Sequence, residues 1–379
     1  MPEDDRWYDA EGGRELVRLL TAEGVSPWVE GLTREHLVRG DLRRAARTGL
    51  RGAVLDAADM VEDLRCGAAY RDQVDDLAVR HVPLRTAMRA VLVRDARTAC
   101  DDLMEVHERT GGADGLVSLA LHPALVDDPA TALAEARAVH RAVDRPNLLV
   151  ALPGTGRAPE VLQGCLARGV GAHAVGVYAP ERHGRVLAAC AAGMGEALEA
   201  GRAPGGLRAL VSLCLAHLDQ AAAGMPGAPG RSGSSSLGLA VARLAFRAHE
   251  ERLSGREWAE LTGRGAVPPR LMWYGRPSPD AGVSADHYVS AVVGWRTVTA
   301  VAPGAFVAAA RGGRVGGDTL LGTHVQARAE LARLAGGGAD ADAALGDLEE
   351  RYTRSRVRRW ERALEALSER MEEATAAAR

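Results

Sequence analysis

Lysine is absent from this chain of 379 residues: all 47 residues in the basic count are arginine. No side-chain primary amine is therefore available to attack a carbonyl. Arginine is no substitute, because a guanidinium stays protonated and is not a nucleophile. Isoleucine is missing too, and Asn147 is the sole asparagine. All three residues have AT-rich codons, so a very GC-rich genome, such as that of a high-GC bacterium, accounts for most of the depletion. Aromatics make up only 4%, as expected where small-residue helices pack on a sheet. Cys66, Cys100, Cys165, Cys190 and Cys214 are odd in number and lack any CxxC spacing. They read as reduced thiols rather than a disulfide framework or a zinc site. No run of about 18 apolar residues exists, so no membrane span is expected. The opening MPEDDRWYDAEGG is acidic and has no apolar core of a secretory signal, and the expected location is cytoplasmic.

The charge balance is close to neutral, with a formal net charge of -3. It gives no reason to expect nucleic acid or an anionic membrane as partner. RYTRSRVRRW (351–360) is the one strongly basic run, and charge runs of this length read as a solvated helix face. PGTG (153–156) and RGGRVGG (311–317) resemble phosphate loops only loosely. Neither has the GxxxxGK[ST] form, so both read as loop turns.

What is present is a regular alternation. Helical patterns at 14–23 and 34–48 flank a short apolar stretch, GVSPWVEGL, and 49–57 reads as a second strand. Residues 58–109 are helical. Strands at 115–123, 147–153, 172–179 and 207–216 then alternate with helices at 130–143, 159–169 and 181–201. Apolar strands alternating with amphipathic helices imply parallel strands joined by crossovers, in number enough to close a barrel. GMPGAPGRSGSSS (224–236) reads as a surface loop, because another strand-like run, RLMWYG (270–275), follows it. Leu345, Leu348, Tyr352, Trp360, Leu364, Leu367 and Met371 form an apolar stripe along a helix over 340–379. The expected organisation is a barrel over 1–335 and a C-terminal helix over 336–379 packed on it.

Six segments carry a family resemblance, in order, across about 270 residues. They are SPWVEGLTREHLVRGDL (26–42), ERTGGADGLVSLALHP (108–123), VDRPNLLVALPGTG (143–156), GVGAHAVGVYAPERHGRV (169–186), LVSLCLAHLDQAAA (210–223) and PPRLMWYGRPSPDAGVSADHYVSAVVG (268–294). Together they resemble the transaldolase family, especially its bacterial long form, with the last segment matching the eighth strand. The resemblance implies an α/β fold, a (β/α)8 TIM barrel with its site at the carboxyl ends of the strands. It also implies transfer of a dihydroxyacetone unit between sugar phosphates through a lysine imine.

Carried over position by position, most of that machinery is replaced. The imine lysine falls at Ala151 and the third-strand carboxylate at Ala120. The second-strand asparagine falls near Ala53. The fifth-strand asparagine and threonine fall at His173 and Val175. The early acidic residue becomes Glu30. Of the implied phosphate clamp, the sixth-strand serine is kept as Ser212, and the arginine five residues later becomes His217. The remaining serine falls at Gly275, with Arg276 beside it. Scaffold positions survive, among them Trp28, Asn147, Pro153 and Trp273. Loss is concentrated where side chains should face the pocket, which points to released or redirected chemistry on a maintained fold.

Glu30, His173 and His217 are the titratable residues expected to converge at the barrel mouth. Ser212, Arg276, Ala151, Ala120 and Tyr178 are expected to line a ligand there. A carboxylate and an imidazole can serve as general base and acid for enolisation, elimination, isomerisation or cyclisation. A His2Glu metal site is the weaker reading, since no HxxxH or HxH spacing supports it; no metal or other cofactor is expected. The expected function is thus a repurposed small-molecule enzyme of specialised, carbohydrate-derived metabolism, of lyase, isomerase or cyclase type. Two alternatives stay open: a pseudoenzyme serving as a binding or partner subunit, with a filled lumen, and dihydroxyacetone transfer by a route without lysine. The exposed helices of such barrels often pair, which leaves a homodimer open.

Overall fold

The computed structural model describes residues 11–202, 204–222, 237–275, 287–304, 306, 315–334 and 341–377. Eight strands form a closed parallel barrel in sequence order: β1 (Ser26–Val29), β2 (Gly52–Leu55), β3 (Leu116–Ala120), β4 (Leu148–Pro153), β5 (Gly171–Val175), β6 (Ala209–Cys214), β7 (Arg270–Tyr274) and β8 (Val298–Val301). β8 closes on β1, with Ser26 opposite Val298 and Val29 opposite Val301. LVSLA, LLVALP and GAHAV are buried at every position. Such near-continuous burial is what a strand needs when the lumen covers one face and helices the other.

Several boundaries differ from the sequence expectation. The run at 270–275, expected as the eighth strand, is the seventh. The eighth is Val298–Val301, too short for its period-two pattern to stand out from the surrounding chain. The helical stretch at 34–48 is two helices, Arg34–Arg39 and Asp41–Arg47, broken at Gly40, whose φ of 73° closes the first. Residues 58–109 hold three helices, the last being Leu84–Arg109 behind Pro83. The loop expected at 224–236, the boundary at 335/336, Arg276 and residues 311–314 lie outside the described residues.

The lower lumen is solid. Trp28, Leu116, Leu149, Leu210, Met272 and Val298 pack into one buried cluster. The Trp28 indole N–H donates to Ser26 Oγ at 3.0 Å, and Ser26 donates to Asp114, itself paired with Arg270. Gly52 has to be glycine here, because a Cβ would lie 2.2 Å from the Trp28 ring. Asn147, the lone asparagine, is fully buried and its amide donates to the carbonyls of Cys100 and Gly115. It ties the start of β4 to the long helix and to the turn before β3.

The upper end is roofed by the C-terminal helix, Ala341–Ala377, roughly 55 Å long at 1.5 Å per residue. Leu345, Leu348, Tyr352, Trp360 and Leu367 are buried, and Leu364 and Met371 pack beside them. Glu349 anchors it: fully buried, it accepts the backbone N–H groups of Tyr178 and Ala179 at 2.6 and 2.8 Å and pairs with Arg182. Thr353 bonds Thr155 in the turn after β4, which gives the PGTG segment a structural role. The run 351–360 is not simply a solvated face. Arg351, Arg354 and Arg358 are exposed, but Arg356 and Arg359 turn toward the barrel. A 3.6-residue period places 352, 356 and 359 on one side, so the charge count concealed two faces.

Candidate active site at the barrel mouth

Between the solid lower lumen and the helical roof lies a cavity of about 350 Å³. Ser118, Ala120, Ala151, His173, Val175 and Met272 line its lower part. Glu30, Asp56, Asp59, Cys214, His217 and Tyr274 stand at the strand ends, while Tyr352, Ser355, Arg356 and Arg359 reach in from the C-terminal helix. The cavity sits at the carboxyl ends of the strands, where loops and strand termini of a (β/α)8 barrel present functional groups. The two alanines at the centre of its wall are adjacent in register, Ala120 opposite Ala151 and Ala151 opposite His173.

His173 crosses the lumen and is almost fully buried. Its Nδ1 lies 2.7 Å from Ser118 Oγ and its Nε2 2.7 Å from Ser212 Oγ. Ser212 Oγ also donates, at 3.5 Å, to the Ala174 carbonyl. A carbonyl only accepts, so Ser212 is best placed to accept from Nε2–H, which leaves Nδ1 to accept the Ser118 hydroxyl proton. Burial, with the Arg356 charge adding to it, pushes the imidazole down to about 3. His173 is thus a neutral relay with both nitrogens engaged. It has no nitrogen left for a metal or for a ligand's proton.

His217 follows β6 and is half-buried. The Tyr178 hydroxyl lies 3.4 Å from its Nδ1, and the two rings stack at 5.9 Å. Burial, then Arg351, lowers its pKa, while burial holds the Tyr178 phenol far above its usual range. At neutral pH His217 is therefore an uncharged imidazole at the cavity edge, able to accept a proton. Burial raises the Cys214 thiol to about 12, so it stays protonated.

Arg356 donates to Asp56 Oδ2 at 2.6 Å and to the Tyr352 hydroxyl at 3.3 Å. Burial opposes its charge, but Asp56 and the Tyr352 and Tyr274 phenols outweigh that and hold it protonated. The Tyr352 and Tyr274 hydroxyls meet in a very short hydrogen bond. Arg359 pairs with Asp59 at 3.3 Å.

Of the positions expected from sequence, Glu30, His173, His217, Ala120 and Ala151 line this one cavity. Ser212 and Tyr178 stand one layer behind it, supporting His173 and His217 respectively. Gly275 is at the edge with φ 131°, and a Cβ there would lie 3.0 Å from Ala216, which leaves no relaxed room for a serine. Asp56, Tyr274, Tyr352 and Arg356 were not foreseen. Asp56 carried a usable signal, since it directly follows a strand at the functional end of the barrel. In the sequence Tyr352 belongs only to the apolar stripe of the C-terminal helix.

Residues 57–368 match the family model described as Transaldolase/Fructose-6-phosphate aldolase. A transaldolase of Parafrankia sp. is 31% identical over 357 residues, covering 93% of this chain and 97% of that protein. A transaldolase of Acidothermus cellulolyticus is 32% identical over 334 residues, covering 87% and 90%. Transaldolase 1 of Streptomyces avermitilis is 31% identical over 361 residues, covering 93% and 95%. Agreement over nearly the whole length, on a closed eight-stranded parallel barrel, places this chain in the transaldolase/fructose-6-phosphate aldolase family.

Proposed function

We propose that the protein binds a small, carbohydrate-derived carbonyl compound at the barrel mouth and moves protons on it without an imine. The observation that carries this reading is the cavity itself. Where the family resemblance puts the imine lysine and a catalytic carboxylate there are Ala151 and Ala120, and a space of about 350 Å³ stays open beside them. A lumen kept only as scaffold would be expected to close by packing. The polar groups that remain are suited to acid/base work: Glu30 just after β1 and the neutral His217 after β6. His173 serves by orienting Ser118, not by titrating. The chemistry that fits is enolisation followed by isomerisation, elimination or ring closure.

The relatives are named transaldolases, but the route through a lysine imine has no amine here. A coupled assay with fructose 6-phosphate and erythrose 4-phosphate is expected to show no transfer. In D2O, by contrast, proton NMR on a panel of sugar phosphates and hydroxyketones should reveal solvent deuterium entering the carbon beside the carbonyl. Glu30→Gln and His217→Phe should each slow that exchange by roughly 10²- to 10⁴-fold. Compounds that bind but never exchange would favour a pseudoenzyme instead.

A further inference from the structure

An enolising enzyme needs somewhere to put the electron pair that leaves the C–H bond. We infer that in this barrel the electron sink is a pair of tyrosines, Tyr274 and Tyr352, backed by Arg356, which together form an oxyanion site for a carbonyl oxygen. This rests on the proposed acid/base function and names the electrophile that function requires.

A proton count carries the inference. The two phenols hold two protons and meet in one hydrogen bond, which uses one. Arg356 donates to Tyr352, so that oxygen already has a donor facing it. Whichever phenol donates within the pair, the other keeps an O–H. Among the described residues no second acceptor faces either hydroxyl, and both tyrosines line the cavity. The remaining proton is thus available to an oxygen of the ligand. Burial raises both phenols above their usual range, so both remain donors at any physiological pH. The guanidinium, kept charged by Asp56, polarises the pair from behind. Preorganised donors of this kind, aimed where negative charge develops, act most strongly in a site shielded from water.

The elementary step balances without any further reagent. A base at the cavity edge, Glu30 or His217, takes the proton from the carbon beside the carbonyl. The C–H electron pair forms the carbon–carbon double bond, and the carbonyl π pair moves to oxygen, where the free phenolic O–H stabilises it by hydrogen bonding. The hydroxyl on the deprotonated carbon then passes its proton to the enolate oxygen; as its C–O bond becomes the new carbonyl, the C=C pair takes a proton back from the base at the former carbonyl carbon, which gives the isomer. Tyr274 is rooted in the end of β7, whereas Tyr352 arrives on the C-terminal helix, so the site is complete only with that helix docked.

The test uses 4-nitrophenol as a mimic of the oxyanion and 4-nitroanisole as its uncharged counterpart. Absorbance of the phenolate gives its affinity across pH, and fluorescence quenching of the protein's tryptophans gives that of the anisole. The expected result is preferential binding of the phenolate form, with the bound probe ionising at lower pH than in water. Tyr274→Phe should weaken phenolate binding roughly 10- to 100-fold, the effect of losing a hydrogen bond to a charged group, and leave 4-nitroanisole within about twofold. Tyr352→Phe should do likewise. Ala151→Phe, which fills the cavity, should abolish binding of both. Equal affinity for the two probes, or an unchanged phenolate affinity in Tyr274→Phe, would overturn the oxyanion assignment while leaving the cavity a ligand site. Binding of neither probe to the wild type would remove both the assignment and the function beneath it.

Discussion

Acid should unfold this protein early, with stability beginning to fall just below pH 6.5. Three buried histidines cause it. His173 is held between two serines, and burial pushes it down to about 3. His183 and His249 form a second buried pair away from the cavity, Nε2 to Nδ1 at 3.1 Å, with His249 Nε2 facing the Pro269 carbonyl. Burial drives these two down to about 3 and about 4. An unfolded histidine titrates near 6.5. Below that value the unfolded chain therefore binds more protons than the fold, and stability drops with pH. The contribution is fully present above about pH 6.5 and is lost progressively toward the folded values. With three groups the slope approaches about 4 kcal/mol per pH unit between roughly pH 6 and 5. That is a large share of the roughly 5–15 kcal/mol of a typical domain. Glu349, Asp95 and Asp102 have the opposite sign, since burial raises their folded pKa values. They offset part of the loss at lower pH. Urea titrations at stepped pH, with proton uptake on unfolding, read this directly. Two or more protons should be taken up near pH 5.5, and His183→Gln should remove close to one of them. A flat profile from pH 7 to 5 would contradict the burial of these rings.

Glu349→Ala should cost about 3–5 kcal/mol, the usual effect of breaking a buried charge pair from one side. The substitution leaves the Arg182 guanidinium, which is only 15% exposed, with the longer Glu350 contact at 3.3 Å alone, and strands two backbone N–H groups, those of Tyr178 and Ala179. Both amides precede the helix that follows β5, so the loss loosens the seam between roof and barrel. Glu349→Gln keeps an acceptor oxygen for the amides and should recover part of the loss. The urea midpoint checks the magnitude. Limited proteolysis checks the location, since cleavage should appear first in the C-terminal helix. A change below 1 kcal/mol in Glu349→Ala would mean that the helix is held by its apolar stripe alone.

The barrel was legible because each strand from β3 to β6 is a short apolar run set between amphipathic helices, a pattern that survives without any knowledge of contacts. Five of the six ordered motifs then identify β1 and β3 to β6. The four residues of β8, VTAV, carry too little periodicity to be legible, so β7 is the last strand the pattern offers. The roof was half legible. The stripe from Leu345 to Met371 says which side of the helix is buried, but not what it is buried against. The bond of Arg356 to Asp56 joins residues 300 apart in the chain, and no local pattern encodes it. His173 was expected to titrate. Its neutrality follows from burial inside the lumen, with the Arg356 charge adding to it, which only the closed barrel and its docked helix reveal.

The barrel-mouth cavity stands around Ala151, and no lysine side chain is present to form an imine in it. Reductive trapping measures both halves at once. Wild-type protein and Ala151→Lys are incubated with dihydroxyacetone and borohydride, and adducts are mapped by mass spectrometry. An amine introduced there would be desolvated among Ala120, Val175 and Met272 and face the Arg356 charge, both of which lower its pKa and make it nucleophilic. No adduct is expected on any internal residue of the wild type, and a single adduct is expected at position 151 in the folded variant. An internal adduct in the wild type, or a folded variant whose new amine cannot be trapped, would contradict that expectation.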